Sequence, residues 1–96
     1  RLDCRYSRLT ELDLSANVEL TRLECSNAHL SELDITNNSK LIFRDEGGNC
    51  HLYCGGQYDD NYNYVPLTLY LTSEQLSKWE DIKWEVGNEN VTEVIK

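Results

Sequence analysis

Leu9-Thr10-Glu11-Leu12-Asp13-Leu14-Ser15-Ala16-Asn17-Val18-Glu19-Leu20-Thr21-Arg22-Leu23-Glu24-Cys25 contains one apolar unit twice. Leu9-x-x-Leu12-x-Leu14 returns as Leu20-x-x-Leu23-x-Cys25, with the polar turn Ser15-Ala16-Asn17 between the copies. A shift of 21 then places Leu2 on Leu23, Cys4 on Cys25, Leu9 on Leu30, Leu12 on Leu33, Leu14 on Ile35, Asn17 on Asn38 and Leu20 on Leu41. Leu12-Asp13-Leu14, Leu23-Glu24-Cys25 and Leu33-Asp34-Ile35 each read as a short strand with alternate residues facing inward. Ser-Ala-Asn and Thr-Asn-Asn interrupt any helical reading, because those residues favour turns. One such coil cannot bury its leucines alone, so coils are expected to stack Leu on Leu and Cys on Cys. The amides of Asn17 and Asn38 would satisfy backbone groups inside the turns.

This pattern resembles the bacterial leucine-rich repeat of 21 residues, which nests a ten- and an eleven-residue half. The resemblance covers residues 1 to about 43, and Ser7 and Ala28 stand where that family often has Asn. It implies an α+β, mostly β leucine-rich-repeat solenoid with short strands and a C-terminal cap holding one short helix. It also implies a bacterial surface or secreted protein, hence an extracellular or cell-surface address, and a protein-binding role. Such a motif specifies fold far better than function.

The repeat breaks after Phe43. Residues 1–46 are read as about two coils, 47–64 as an interrupted Gly/Tyr/Asn-rich coil and loop, and 65–96 as a strand-helix-strand cap. All three form one compact unit, expected to be a fragment of a larger protein. Leu52-Tyr53-Cys54 is a third Leu-x-Cys, 29 residues after Leu23. Val65, Leu67, Leu69 and Leu71 alternate along a strand. Thr72 with Gln75 predicts a capped helix whose buried stripe is Leu76, Trp79 and Ile82. Val91-Thr92-Glu93-Val94 predicts a last strand.

The 96 residues carry a net charge of −8, with 40% hydrophobic and 27% charged residues. That balance argues against nucleic acid, whose phosphates need clustered cations. No apolar run approaches a membrane span, so no membrane insertion by this segment is expected. The oligomeric state is left open.

Cys4, Cys25 and Cys54 are read as a buried, inward-facing column of small hydrophobes. Disulfides, or a zinc site from Cys50, His51 and Cys54, stay open as alternatives. Stacking would set Glu11 beside Glu32 and Asp13 beside Asp34, as a solvated face or a cation bridge. Asp59-x-Asn61-x-Asn63 resembles half a calcium loop, although Tyr64 stands where glycine is required.

The recognition candidates are Arg5, Arg22 and Glu24 on outward strand positions, with Asp3, Tyr6 and Ser26 beside them, and His51, Tyr53, Tyr58, Tyr62 and Tyr64 in the loop stretch. Tyrosines among amides make adaptable contact surfaces for proteins or sugars, although several of these rings could instead pack on the cap. Asn17, Asn38, Cys4, Cys25, Cys54 and Trp79 are assigned to structure. No catalytic residue, resident metal or cofactor is expected, and a hydrolytic site at His51, Asp59 and Asp60 is the enzymatic alternative. The function expected is non-catalytic recognition of a protein or glycan partner. The alternatives are a purely structural terminus displaying a neighbouring domain, and calcium-dependent glycan binding.

Overall fold

The computed structural model describes residues 1–96. Its elements are β1 (Leu2–Asp3), β2 (Leu23–Glu24), β3 (Glu32–Asp34), β4 (Leu52–Tyr53), β5 (Gln57–Tyr58), β6 (Tyr64–Val65), β7 (Leu67–Leu71), α1 (Ser73–Ile82) and β8 (Val91–Ile95). Strands β1-β2-β4 form one parallel sheet and β3-β7-β8 a second, while β5 and β6 pair antiparallel. The offset of 21 is visible in the register, since Leu2 opposes Leu23. Leu23 in turn opposes Leu52, the offset of 29.

The expected solenoid of leucine-rich repeats is corrected by this topology. The chain is a small compact α+β domain with short strands in three small sheets and one helix. It measures 37 × 27 × 24 Å. The physical reason is that two repeats offer too little apolar surface to sustain a stack, which needs three or more. Leu12-Asp13-Leu14 forms no strand. Strand β3 pairs instead with β7, which lies outside the repeat and is the central strand of its sheet. Leu67, Leu69 and Leu71 of β7 are fully buried, each burial contributing about 1.5–3 kcal/mol. They join Leu23, Leu30, Leu33, Ile35, Leu52, Trp79 and Ile82 in a single core.

Helix α1 starts where Thr72 leaves the extended region. The Thr72 hydroxyl accepts from the Gln75 N–H at 3.1 Å, and the Gln75 carboxamide accepts from the Thr72 N–H at 2.9 Å, a reciprocal capping box. The buried face is Gln75, Trp79 and Ile82; Leu76, expected in the stripe, is half-buried. Gln75 is buried because its Nε2 also donates to the Ile35 and Asn38 carbonyls at 2.8 and 3.4 Å.

Three further buried amides tie together segments distant in sequence. Asn38 Nδ2 donates to the carbonyls of Leu14 and Asn17 at 3.1 and 2.9 Å. Gln57 donates to the Cys25 and Cys54 carbonyls and accepts from the Leu30 N–H. Asn88 donates to the Leu52 and Ile82 carbonyls and accepts from the Cys54 N–H. Asn17 departs from its structural assignment: it is exposed, and only its backbone takes part.

Candidate functional site

The outward face of β1-β2-β4 and the hairpin β5-β6 enclose a cleft of about 820 Å³. Arg22, Glu24 and Ser26 from the middle strand and its extension line it, with Arg5 and Tyr6 from the first row. Tyr53, Tyr64, Asn27 and the segment Val86, Gly87, Glu89 and Asn90 complete it. The last segment continues the row of strands: the Gly55 N–H donates to the Gly87 carbonyl at 2.8 Å and the Gly56 N–H to Glu89 at 3.1 Å.

Charge organises the base of the cleft. The Glu24 side chain is 5% exposed and faces three guanidiniums, with Arg1 at 2.8 Å, Arg22 at 3.4 Å and Arg5 at 3.6 Å. A carboxylate so enclosed requires such partners. Glu24, expected as an outward contact, is therefore corrected to a foundation that holds the arginines. Asp3 is gripped by Arg5 through Nε at 3.0 Å and Nη2 at 2.8 Å, which pulls its carboxyl from 3.8 to about 2. Arg22 spends least of its donor capacity. Its Nη2 reaches Glu24 at 3.4 Å, and its enclosed Nε–H meets no acceptor.

Tyrosines form the walls. The Tyr53 ring lies over Gly87, where even a Cβ would come within 2.9 Å of the ring edge. Burial pushes the Tyr53 phenol up, helped by Cys50 and Glu85, while the charge of Arg22 offsets part of the rise. Tyr58 and Tyr64 oppose each other across the hairpin with ring centroids 5.0 Å apart. The Tyr58 hydroxyl donates to Asn27 Oδ1 at 3.2 Å, and its bond with Tyr64 raises its phenol.

Two exposed tyrosines occupy backbone that L-residues avoid. Tyr6 has φ of 59°, and the backbone bonds Tyr6 N–H to Ser26 O, Asn27 N–H to Gly55 O and Gly56 N–H to Glu89 O align it with Asn27, Gly56 and Asn90. Those corners have φ of 57°, 65° and 59°. Asn and Gly tolerate this region, whereas a tyrosine pays roughly 1–2 kcal/mol. Tyr62 repeats the anomaly. The turns Asp45–Asn49 and Asp59–Asn63 share one design, in which the leading carboxylate accepts from the backbone N–H groups two and four residues on. Gly48 takes the left-handed place in the first turn and Tyr62 in the second.

Five of the eight expected contact residues thus meet at the cleft: Arg5, Arg22, Glu24, Tyr53 and Tyr64. Tyr58 supports Tyr64 from behind. Tyr62 stands on the hairpin tip, 72% exposed and outside the cleft lining. His51 is also outside it; its Nε2 lies 2.8 Å from Asp45, whose carboxyl is held at about 2 by the Asn49 amide first and His51 next. The enzymatic grouping of His51, Asp59 and Asp60 is corrected accordingly, since Asp59 closes its own turn and Asp60 sits beside His29 at 3.7 Å.

The calcium loop and the cation-bridged columns are corrected as well. Asp59 faces amide donors, Asp13 accepts from the Ser15 N–H, and Asp34 is bound by Thr36 and by Lys96 at 2.8 Å. The four cysteines are free, Cys25, Cys50 and Cys54 buried and Cys4 half-buried.

Asn27, Glu89 and Asn90 were not anticipated at the site. The signal for Asn27 was its position: it and Gly56 each fall two residues after a Leu-x-Cys unit, the place that Tyr6 takes in the first row. Comparison with family models, with curated proteins and with solved structures finds no match. No helix is long and apolar enough to cross a membrane.

Proposed function

We propose that this domain is a non-catalytic recognition module whose cleft takes a polypeptide segment of a partner protein. The observation that carries the reading is the gathering of Tyr6, Tyr53, Tyr64, Arg5 and Arg22 around one cleft of about 820 Å³. Tyrosine and arginine are the residues in which binding energy concentrates at protein interfaces. Binding is favoured over catalysis because the cleft's carboxylates are already engaged, Glu24 by arginines and Glu89 by the Gly87 N–H at 2.7 Å. The same bookkeeping favours polypeptide over sugar. A sugar's many hydroxyls need acceptors, and Asn27 Oδ1 as well is taken, by Tyr58. What remains free is chiefly donors, which suit a chain rich in carbonyls and carboxylates.

Panning a phage-displayed library of random peptides on the immobilised domain tests this. Selected peptides should lose at least about tenfold in affinity on a Tyr6→Ala/Tyr64→Ala double variant, a change of about 1.4 kcal/mol. Peptides that bind the double variant equally well would remove the cleft from the proposal. A failed selection alongside binding to a glycan array would overturn the polypeptide class.

A further inference from the structure

We infer that the segment recognised presents a carboxylate to Arg22. This rests on the recognition reading above and adds the chemistry of its anchor. Arg22 stands on the middle row of the first sheet, level with Arg1 on one side and His51 on the other, and lines the cleft together with Arg5 and Tyr53. Its five N–H donors have a single partner, Glu24, at the long distance of 3.4 Å. The Nε–H is enclosed and without an acceptor. An enclosed, unpaired charged donor is costly, so a native fold retains one where something else completes it. Its neighbours differ: Arg5 binds Asp3 through two nitrogens, and Arg1, bonded to Glu24 at 2.8 Å, is 59% exposed, so water meets its spare donors.

Charge points the same way. Arg1, Arg5 and Arg22 gather around Glu24, so three of the chain's nine Lys and Arg residues stand together in a domain whose net charge is −8. The Arg22 side chain is 33% exposed, and the paired terminal nitrogens of a guanidinium match the two oxygens of a carboxylate; such forked bonds are among the strongest available. Tyr6 and Tyr64 at the cleft wall would shield that pair from water, which strengthens it.

The test uses peptides selected from the random library and needs no destabilised protein. Each Asp or Glu of a selected peptide is replaced by its amide, and in a second arm the free C-terminus is amidated. One of these changes should weaken binding to the parent chain by at least about tenfold. The arm that responds identifies the carboxylate as side-chain or terminal. The same change should have little effect on an Arg22→Gln variant, which keeps Arg1 and Arg5 on Glu24 and should fold normally by circular dichroism. An Arg22→Lys variant should bind intermediately, having the charge without the fork. If selected peptides bind through the tyrosines but tolerate every amide replacement, the carboxylate anchor is wrong and the recognition reading survives. Equal losses on parent and Arg22→Gln would also overturn it. Binding of acidic glycans in place of any peptide would overturn both.

Discussion

Asn88→Ala should be among the most damaging single substitutions in this chain, and the size of the effect can be worked out bond by bond. Asn88 is 2% exposed and makes three hydrogen bonds, accepting from the Cys54 N–H at 2.9 Å and donating to the carbonyls of Leu52 at 3.0 Å and Ile82 at 3.1 Å. Alanine abandons all three partners unequally. The Ile82 carbonyl keeps the Glu85 N–H at 3.0 Å, and the Leu52 carbonyl keeps the weak Cys50 thiol at 3.3 Å. Only the Cys54 N–H is left with no acceptor, at a cost of about 1–3 kcal/mol, with about 1 kcal/mol for each of the other two bonds. The sum is about 3–5 kcal/mol. A domain of this size is stable by only about 5–14 kcal/mol. Asn88→Asp should be no milder, because it preserves the acceptor but turns a carboxylate toward two carbonyls. Urea unfolding followed by the fluorescence of buried Trp79 measures the change, read from the midpoint at constant slope. A loss below about 1 kcal/mol for the alanine variant, or an aspartate variant as stable as the parent, would refute the claim that this amide pins the Gly87–Asn90 wall of the cleft.

Tyr62→Gly should leave stability unchanged or raise it by up to about 1 kcal/mol, because release of left-handed strain offsets the little packing lost by an exposed ring; thermal unfolding measures it, and a clear destabilisation would contradict the strain argument. Acid should weaken the fold through Asp3 and Asp45, both lowered from 3.8 to about 2. A depressed carboxyl stabilises above its unfolded value, so the contribution is intact above about pH 4 and lost as pH falls toward 2. Melting temperatures across that window should fall more steeply for the parent than for an Asp3→Asn/Asp45→Asn variant. In the folded protein, iodoacetamide should modify Cys4 first, because it is the half-buried thiol and its bond with Cys25 lowers its pKa. Cys25 and Cys54 should react only on unfolding, since both are enclosed and pushed up, Cys25 chiefly by its bond with Cys4 and Cys54 by burial. Peptide mass mapping distinguishes the sites.

What the sequence made legible was local or periodic. The register of Leu2, Leu23 and Leu52 follows from apolar spacing, and the Thr72–Gln75 cap from a four-residue signature. The global shape did not follow, because β7, which pairs with β3, lies outside the repeat and no offset of 21 announces it. Its three buried leucines join Leu33 in the core. Gln57 and Asn88 were illegible for a different reason. Both sit among glycines in stretches that read as solvated loop, yet each closes three buried backbone groups. A polar residue becomes a core residue only through carbonyls brought in from distant rows, which no local pattern records. At the cleft, Arg5, Arg22, Tyr53 and Tyr64 were found by alternation and clustering, whereas the Val86–Asn90 wall lies between the helix and last strand of the expected cap, where neither signal occurs.

The chain contains its own control for why tyrosines stand where they do. The turns Asp45–Asn49 and Asp59–Asn63 make the same hydrogen bonds, so the fold needs nothing more at the left-handed place than the glycine it uses at position 48. The corner aligned with Tyr6 is likewise met by Asn27, Gly56 and Asn90. Tyrosine at either place costs roughly 1–2 kcal/mol of backbone strain. Its ring returns little packing, with Tyr6 76% and Tyr62 72% exposed. Strain kept without a packing return points to a use outside the fold. Tyr6 lines the cleft, and Tyr62 is two residues from Tyr64, which lines it too. On the recognition reading proposed above, the surface used would extend beyond Arg22 and the cleft walls, over the tip of the β5-β6 hairpin. A partner long enough to anchor on Arg22 and reach Tyr62 would draw on both strained tyrosines.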